Sequence, residues 1–154
     1  LAGNHQEEAV SAIERALDVE PFAPKNSLMM SWDQIRELHR AGHIVGSHSL
    51  THPNLAHVGN GNLNCELVES RRRLERELRA RVIHFSYPSP ILQPHWTKRT
   101  FRATKQAGYQ TAVTCDGGPV NAGDSPLSLK RIWAPNHTGE FLWNLECTLL
   151  GRRV

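Results

Sequence analysis

With 154 residues, 39% of them hydrophobic, the chain can bury one core but not two, so we expect residues 1–154 to form a single domain. The net charge is only +3, and the arginines of residues 66–81 are interleaved with glutamates, which is typical of a solvated helix face and argues against a nucleic-acid partner. The three cysteines are widely spaced and no apolar run is long enough to span a bilayer, so we expect no disulfide framework, zinc knuckle or transmembrane span.

The first part of the chain predicts two helices. Residues 6–18 place apolar side chains at helical spacing and therefore predict an amphipathic helix. A second helix is predicted over residues 32–41, because Ser31 and Gln34 have the spacing of a capping box. Gly42 stands where a left-handed residue commonly ends a helix.

The rest of the chain alternates between strands and helices. Short apolar runs predict strands over residues 44–46, 82–87, 110–115 and 127–133. Helical periodicity predicts helices over residues 63–78, 97–107 and 140–150. Successive helix-to-strand units are typical of a parallel sheet with covering helices. We therefore predict an α/β fold, either a small open sheet or part of a barrel.

Polar side chains stand at the carboxyl ends of three predicted strands. In parallel sheets and barrels, the loops that follow these ends carry the ligand site. His48, Tyr87 and Asp116 occupy such positions, so we expect them on one rim of the fold.

Two histidines four residues apart form the central pattern. On one helical turn, His48 and His52 would project to the same side, where they could share a metal ion. Spacing alone is weak evidence, because in a chain with nine histidines chance gives about 0.5 such pairs. His39 and His43 form a second pair, which we interpret only as part of a helix end.

The surroundings of His48 and His52 resemble a known family. Residues 31–55 contain a helix, a glycine, a short strand and a His-Ser-x-x-His turn, in the order of the second motif region of polysaccharide deacetylases of the NodB-homology family. Downstream, residues 85–89 are similar to the third motif of that family, and residues 127–132 to its Leu-x-Arg-Ile segment. The resemblance covers roughly residues 30–145 and implies a partial or distorted (β/α) barrel.

The resemblance also implies an activity. Members of the family are metal-dependent hydrolases that remove N-acetyl groups from the amino sugars of a polysaccharide or oligosaccharide. Both histidines of the motif bind the metal in that family, which carries a ligand role to His48 and His52. The cofactor would be a divalent metal ion, with zinc as the first choice.

Three further residues receive catalytic roles from the same resemblance. The backbone N–H of Tyr87 would hold the oxyanion of the tetrahedral intermediate, although Tyr87 could also simply end a strand. Arg131 is either a clamp for the oxyanion or substrate, or a surface side chain. His137 is the one histidine in the right part of the chain to protonate the leaving amine, although its neighbours do not match the Leu-x-His pattern of the family.

The chain departs from the family near its beginning. Family members open with a strand that ends in Thr-Phe-Asp-Asp-Gly, whose first Asp is the general base and whose second Asp is the third metal ligand. No such segment precedes residue 30, so we expect that the N-terminal strand with the Asp-Asp motif is missing and that these residues alone do not turn over substrate. The exposed sheet edge that a missing strand leaves would favour a homo-oligomer.

Other functions stay open. A non-catalytic homologue that binds carbohydrate or a partner protein is the main alternative. A metalloprotease is disfavoured, because the turn between His48 and His52 lacks the glutamate of His-Glu-x-x-His. Zinc binding would separate the hydrolase from its non-catalytic alternative.

Overall fold

The computed structural model describes residues 2–19, 29–89 and 93–152. In chain order, these residues form α1 (Ala2–Leu17), α2 (Trp32–Arg40), α3 (Asn60–Leu78), β1 (His84–Ser86), α4 (Lys98–Gln106), β2 (Thr111–Gly117), β3 (Leu129–Arg131) and α5 (Thr138–Leu149). Apart from a strand predicted over residues 44–46, the observed order is the predicted alternation of helices and strands. The strands near residues 82–87 and 127–133 are shorter than expected.

The strands form one parallel sheet in the order β1-β2-β3. Phe85 lies opposite Ala112, and Val113 lies opposite Leu129. The predicted α/β architecture, a parallel sheet with covering helices, is therefore confirmed. Within the described residues the sheet is open rather than closed into a barrel, which agrees with the prediction of a small open sheet or a partial barrel.

The strand predicted over residues 44–46 was wrong. In its place, a single parallel bridge joins Ser47 to Phe85. The Ser47 N–H donates to the His84 carbonyl at 2.9 Å, and the Ser86 N–H donates to the Ser47 carbonyl at 2.8 Å. Ile44 is 77% exposed and contributes nothing to the core. The pairing with β1 is thus confined to the end of the predicted run.

The capping pattern of α2 is confirmed. The Ser31 hydroxyl accepts a hydrogen bond from the Gln34 N–H, and the Gln34 side chain accepts one from the Ser31 N–H. Beyond the last turn, Gly42 has a φ of 90°, in the left-handed region that glycine adopts without strain. The short path from α2 to the Ser47 bridge therefore follows from local sequence.

One apolar cluster joins the sheet to α3 and α4. Its buried members are Leu55, Leu63, Leu67, Val82, Phe85, Tyr87, Ala107, Tyr109, Ala112 and Leu127. Three of its aromatic rings touch: the centroid of Phe85 lies 5.2 Å from that of Tyr87 and 4.9 Å from that of Tyr109. This core lies directly behind the carboxyl end of β1, and it supports the loops that follow.

Two helices expose much of their apolar surface. The amphipathic helix predicted over residues 6–18 forms as α1, with Val10 and Ile13 more than half exposed. On α5, Leu142 and Trp143 are also more than half exposed. In the described part of the chain, no helix is long and apolar enough to cross a membrane.

Candidate metal-binding site

The bridge at Ser47 positions His48 at the carboxyl end of the sheet. His48 is the first residue beyond this bridge, and its Nδ1 atom lies 2.8 Å from the carbonyl oxygen of Ser86. A carbonyl oxygen can only accept a hydrogen bond, so Nδ1 carries the proton. The Nε2 atom of His48 therefore keeps its lone pair in the neutral ring, as a metal ligand requires.

The second histidine of the motif lies next to the first. The ring centroids of His48 and His52 are 4.8 Å apart, and the rings meet edge to face at 74°. Both side chains are exposed. Neutral imidazole nitrogens are common ligands of zinc and related divalent ions. The structure thus brings the two predicted ligands together at the surface, and their binding of a metal stays a prediction.

The backbone between the histidines is not the helical turn that their spacing suggested. Ser49 and His52 both have left-handed conformations, with φ values of 68° and 57°. The Ser49 hydroxyl accepts a hydrogen bond of 3.0 Å from the His52 N–H. A left-handed conformation costs a non-glycine residue about 1–2 kcal/mol, so neighbouring contacts must hold this turn in place.

A buried carboxylate makes such contacts. Glu66 of α3 is 7% exposed, and its Oε2 atom accepts hydrogen bonds from the N–H groups of Leu50 (2.8 Å) and Thr51 (2.9 Å). Its Oε1 atom accepts a bond of 2.6 Å from the Thr51 hydroxyl. Within the described residues, the turn that carries the histidines supplies the hydrogen-bond donors to both oxygens of Glu66.

Sequence reasoning missed Glu66 because the glutamates of this helix were interpreted together as solvated side chains. The sequence nevertheless contained a signal that Glu66 is buried. Glu66 lies on the same helical face as Leu63 and Leu67, at positions where a core residue is expected. A carboxylate at such a position requires partners, and the nearby turn supplies them.

The side chain and the backbone N–H of Tyr87 both make hydrogen bonds within the fold. Its side chain is 0% exposed, and its phenol donates a hydrogen bond of 3.2 Å to the Leu127 carbonyl. Burial raises the pKa of the Tyr87 phenol above its ordinary value. The Tyr87 backbone N–H, the predicted oxyanion donor, already donates to the Val113 carbonyl at 3.0 Å. An oxyanion role for Tyr87 therefore stays a prediction that these contacts do not favour.

The side chain of Trp96 connects Asp116 to Tyr87. The Trp96 indole N–H donates a hydrogen bond of 2.8 Å to the Asp116 carboxylate, and the Trp96 ring centroid lies 6.1 Å from that of Tyr87. Asp116 stands near the carboxyl end of β2, and Tyr87 directly follows β1. These positions agree with the expected rim of strand ends.

Arg131 lies at the end of β3, against the neighbouring strand. Its Nε atom donates a hydrogen bond of 2.6 Å to the Thr114 carbonyl, and its Nη2 atom lies 3.3 Å from the Cys115 sulfur. Arg131 also lines a cavity of about 520 Å³ between the ends of β2 and β3 and helix α5. Neither His48 nor His52 is among the described residues that line this cavity, so a shared site with them stays a prediction.

His137 lies at the start of helix α5. It is exposed and precedes α5 as its N-cap residue, and its side chain makes no capping hydrogen bond. In the described structure, no hydrogen bond or ring contact joins it to His48 or His52. Its proposed role as the acid for the leaving amine therefore stays a prediction.

The donor set at the histidine pair fits part of a zinc site. A metal-binding histidine usually donates its second ring N–H to a carbonyl or carboxylate, as His48 does to Ser86. Catalytic zinc commonly has three protein ligands and one open position. Among residues 2–19, 29–89 and 93–152, no group of three His, Cys, Asp or Glu side chains could hold a metal ion. The histidine pair thus offers two of the three ligands that such a site commonly has, and a metal-binding role for the pair stays a prediction.

Comparison with protein families assigns the chain. The family model described as polysaccharide deacetylase matches residues 4–112, which is more than half of the chain. The chain belongs to the polysaccharide deacetylase family. The matched range includes the histidine pair, α3 and β1. The match begins and ends earlier in the chain than the range of about 30–145 over which the sequence motifs resemble the family.

Solved structures of deacetylases support the same fold. The deacetylase PplD of Streptococcus pyogenes, in complex with acetate, is 26% identical with a TM-score of 0.68, over 80% of this chain and 52% of its own. A polysaccharide deacetylase from Bacillus cereus is 29% identical with a TM-score of 0.58, over 66% of this chain and 31% of its own. The BpsB deacetylase domain from Bordetella bronchiseptica, at 14% identity and a TM-score of 0.51, is similar in fold over 73% of this chain and 53% of its own.

The chain spans about half or less of the length of these structures. No curated protein sequence matches it. The predicted fold of the polysaccharide deacetylase type is confirmed by these structural relatives.

Proposed function

We propose that this chain carries the histidine ligands of a metal-dependent hydrolase that removes N-acetyl groups from the amino sugars of a polysaccharide. The observation that carries the proposal is the exposed pair of His48 and His52, with ring centroids 4.8 Å apart. Family membership supports the reaction class. Acetate, which is bound in the relative from Streptococcus pyogenes, is the acid that hydrolysis of an N-acetyl group releases.

Hydrolysis of an acetamide needs a polarised carbonyl, an activated water and a proton for the departing amine. A divalent metal ion, with zinc as the first choice, would supply the first two of these when bound. His48 would contribute its Nε2 lone pair, because its Nδ1 proton is donated to the Ser86 carbonyl. That hydrogen bond orients the ring so that Nε2 can bind the metal.

The exposed position of the pair fits a polymeric substrate. A polysaccharide chain can approach His48 and His52 without the opening of an enclosed pocket, since both rings reach solvent. We keep Arg131 as a proposed contact to the substrate, because its guanidinium lines a cavity. His137 and the amide of Tyr87 remain proposals from the family pattern alone.

Zinc binding tests the proposal. In isothermal titration, the protein should bind one equivalent of zinc, and His48→Ala and His52→Ala should each weaken binding by at least about tenfold. His43→Ala is the matched control, because His43 belongs to a pair of equal spacing and is also exposed. Equal zinc affinity in all four proteins, or no zinc binding by the unchanged chain, would overturn the proposal.

A second function has one observation in its favour. The described residues offer two metal ligands rather than three, which suits a homologue that binds carbohydrate or a partner protein without hydrolysis. The two functions give different results with N-acetylated oligosaccharides. A hydrolase releases acetate in the presence of zinc, whereas a binding protein retains the oligosaccharide unchanged and with equal affinity after removal of zinc.

We also propose that the chain forms a homo-oligomer along the edge of the sheet near Ser47. In the described structure, this segment pairs with β1 through one bridge, and Ile44 beside it is 77% exposed. An open strand edge is a template for pairing with another chain. Sedimentation should show an oligomer that Ile44→Lys converts to monomer, and a monomeric unchanged chain at all concentrations would contradict this proposal.

A further inference from the structure

We propose that Glu66 is a positioning residue for the metal-binding turn. Its buried carboxylate holds the backbone between His48 and His52, so that the two rings can bind one metal ion. This inference rests on the proposed function, because it concerns the same pair of ligands. Glu66 itself does not contact the metal in this proposal.

Among the described residues, the hydrogen bonds to the Glu66 carboxylate come from Leu50 and Thr51, which lie between the two histidines. Oε2 accepts from two successive backbone N–H groups, at 2.8 Å from Leu50 and 2.9 Å from Thr51, and Oε1 accepts from the Thr51 hydroxyl at 2.6 Å. Two adjacent amides that share one oxygen cannot rotate independently. The carboxylate therefore fixes the direction of the peptide that leads into His52.

The turn needs such an anchor because its conformation is strained. Ser49 and His52 have left-handed backbone conformations, and the two amides held by Glu66 lie between them. Without these hydrogen bonds, Ser49 and His52 would lower their free energy by returning to ordinary backbone conformations. The ring of His52 would then move relative to the ring of His48.

The burial of Glu66 makes this role specific to a side chain that can accept hydrogen bonds from the turn. An ionised carboxylate removed from water is destabilising unless charge-assisted hydrogen bonds replace its hydration. Leu63 and Leu67 on the same helical face are 2% and 0% exposed, so a leucine at position 66 would suit this face of α3. A leucine would leave the turn amides without an acceptor.

Helix α3 also holds the residue that precedes the motif. The Ser47 hydroxyl donates a hydrogen bond of 2.9 Å to the Ser70 hydroxyl, one helical turn beyond Glu66. The Ser70 hydroxyl in turn donates to the Glu66 carbonyl at 2.6 Å. Helix α3 thus contacts the chain on both sides of His48, at Ser47 and at the Leu50–Thr51 amides. These contacts attach the metal-binding turn to the core.

The test compares zinc affinity with the protection of two amides. Glu66→Ala should weaken zinc binding by about tenfold to a hundredfold. It should also speed hydrogen exchange at the Leu50 and Thr51 amides by at least about tenfold, because both lose a charged acceptor. Glu66→Gln should restore most of both properties, since its amide oxygen can accept from the two N–H groups while its NH₂ donates to the Thr51 hydroxyl oxygen.

Two control variants separate positioning from general stability. Glu69→Ala removes an exposed carboxylate of the same helix, paired with Arg72 at the surface, and should change neither property. Leu67→Ala destabilises the core without touching the turn, and zinc affinity should persist in the folded protein. A purely structural role for Glu66 would make Glu66→Ala behave like Leu67→Ala, and this result would overturn the inference.

The outcomes distinguish this inference from the proposed function. If the unchanged protein binds no zinc, the proposed function fails, and the inference that rests on it fails too. If the unchanged protein binds zinc and Glu66→Ala binds it equally well, the inference alone fails. Should Glu66→Ala not fold, Thr51→Val removes only the contact to Oε1, and an affinity lowered by about threefold supports the inference whereas an unchanged affinity overturns it.

Discussion

Gly46 lies against His84 so closely that a Cβ atom on Gly46 would be 3.2 Å from the His84 carbonyl oxygen and 3.3 Å from its Cβ. The same carbonyl accepts the N–H of Ser47 at 2.9 Å. Absence of a side chain at Gly46 therefore allows the approach to β1 on which the position of His48 depends.

Gly46→Ala should push the Ser47 segment away from β1. We expect the free energy of unfolding to fall by about 1–3 kcal/mol, as for other overpacked sites, with weaker zinc binding at His48. Chemical denaturation and zinc titration measure these effects. Gly61→Ala is the control, because Gly61 lies in α3 with open space around it and alanine favours helix by about 1 kcal/mol. Equal stability of Gly46→Ala and the unchanged chain would contradict the contact.

Alkaline pH should unfold the protein through its tyrosines. The chain has two, Tyr87 and Tyr109, and burial raises the pKa of both phenols above the ordinary value of 10.0. The unfolded chain therefore releases these protons at a lower pH than the folded chain. The stability that this difference contributes is fully present below about pH 10 and is lost as the pH rises further.

Ultraviolet absorbance of the phenolate, recorded together with circular dichroism, measures this behaviour. Phenolate absorbance should appear only as the helical signal disappears. Titration of a tyrosine near pH 10.0 in a protein that keeps its full helical signal would contradict the burial of that phenol.

The neutral ring of His48 should carry its proton on Nδ1. The Ser86 carbonyl, 2.8 Å away, accepts this proton and so selects the tautomer with a free Nε2 atom. Nitrogen chemical shifts of the imidazole identify the protonated atom directly. Exposed His43 serves as the reference, and it should show the ordinary mixture of tautomers. A ring of His48 protonated on Nε2 would remove the proposed metal ligand.

Leu67→Ala should destabilise the fold by about 2–5 kcal/mol, because Leu67 is 0% exposed within the apolar cluster. Leu142→Ala is the matched control, since Leu142 is 55% exposed and should change stability by less than about 0.5 kcal/mol. Urea denaturation measures both changes. Similar losses in the two variants would mean that the cluster around Leu67 is not the core of the protein.

The same denaturation curves test our proposal that the chain is a single domain. One apolar cluster includes residues from Leu55, which precedes α3 in the chain, to Leu127, which precedes β3. We therefore propose one cooperative transition, seen at the same urea concentration by circular dichroism and by tryptophan fluorescence. Two separate transitions would show that parts of the chain fold independently.

Local patterns predicted local structure well. The capping box of Ser31 and the left-handed Gly42 were both visible in the sequence, because each depends on residues a few positions apart. The family was recognisable for a related reason, since its motifs are short and contiguous. Predictions failed where distant residues decide the conformation. Residues 44–46 have the composition of a strand, yet only Ser47 bridges to β1.

By itself, the sequence determined the family, the alternation of helices and parallel strands, and the pair of His48 and His52 as candidate ligands. Only the tertiary structure decided how that pair is held. Its rings meet through a strained turn rather than a helix, and this turn is anchored by Glu66 and the Ser86 carbonyl. The reason is physical: a hydrogen bond between residues far apart in the chain leaves no periodic pattern, and it exists only after the core has brought its partners together.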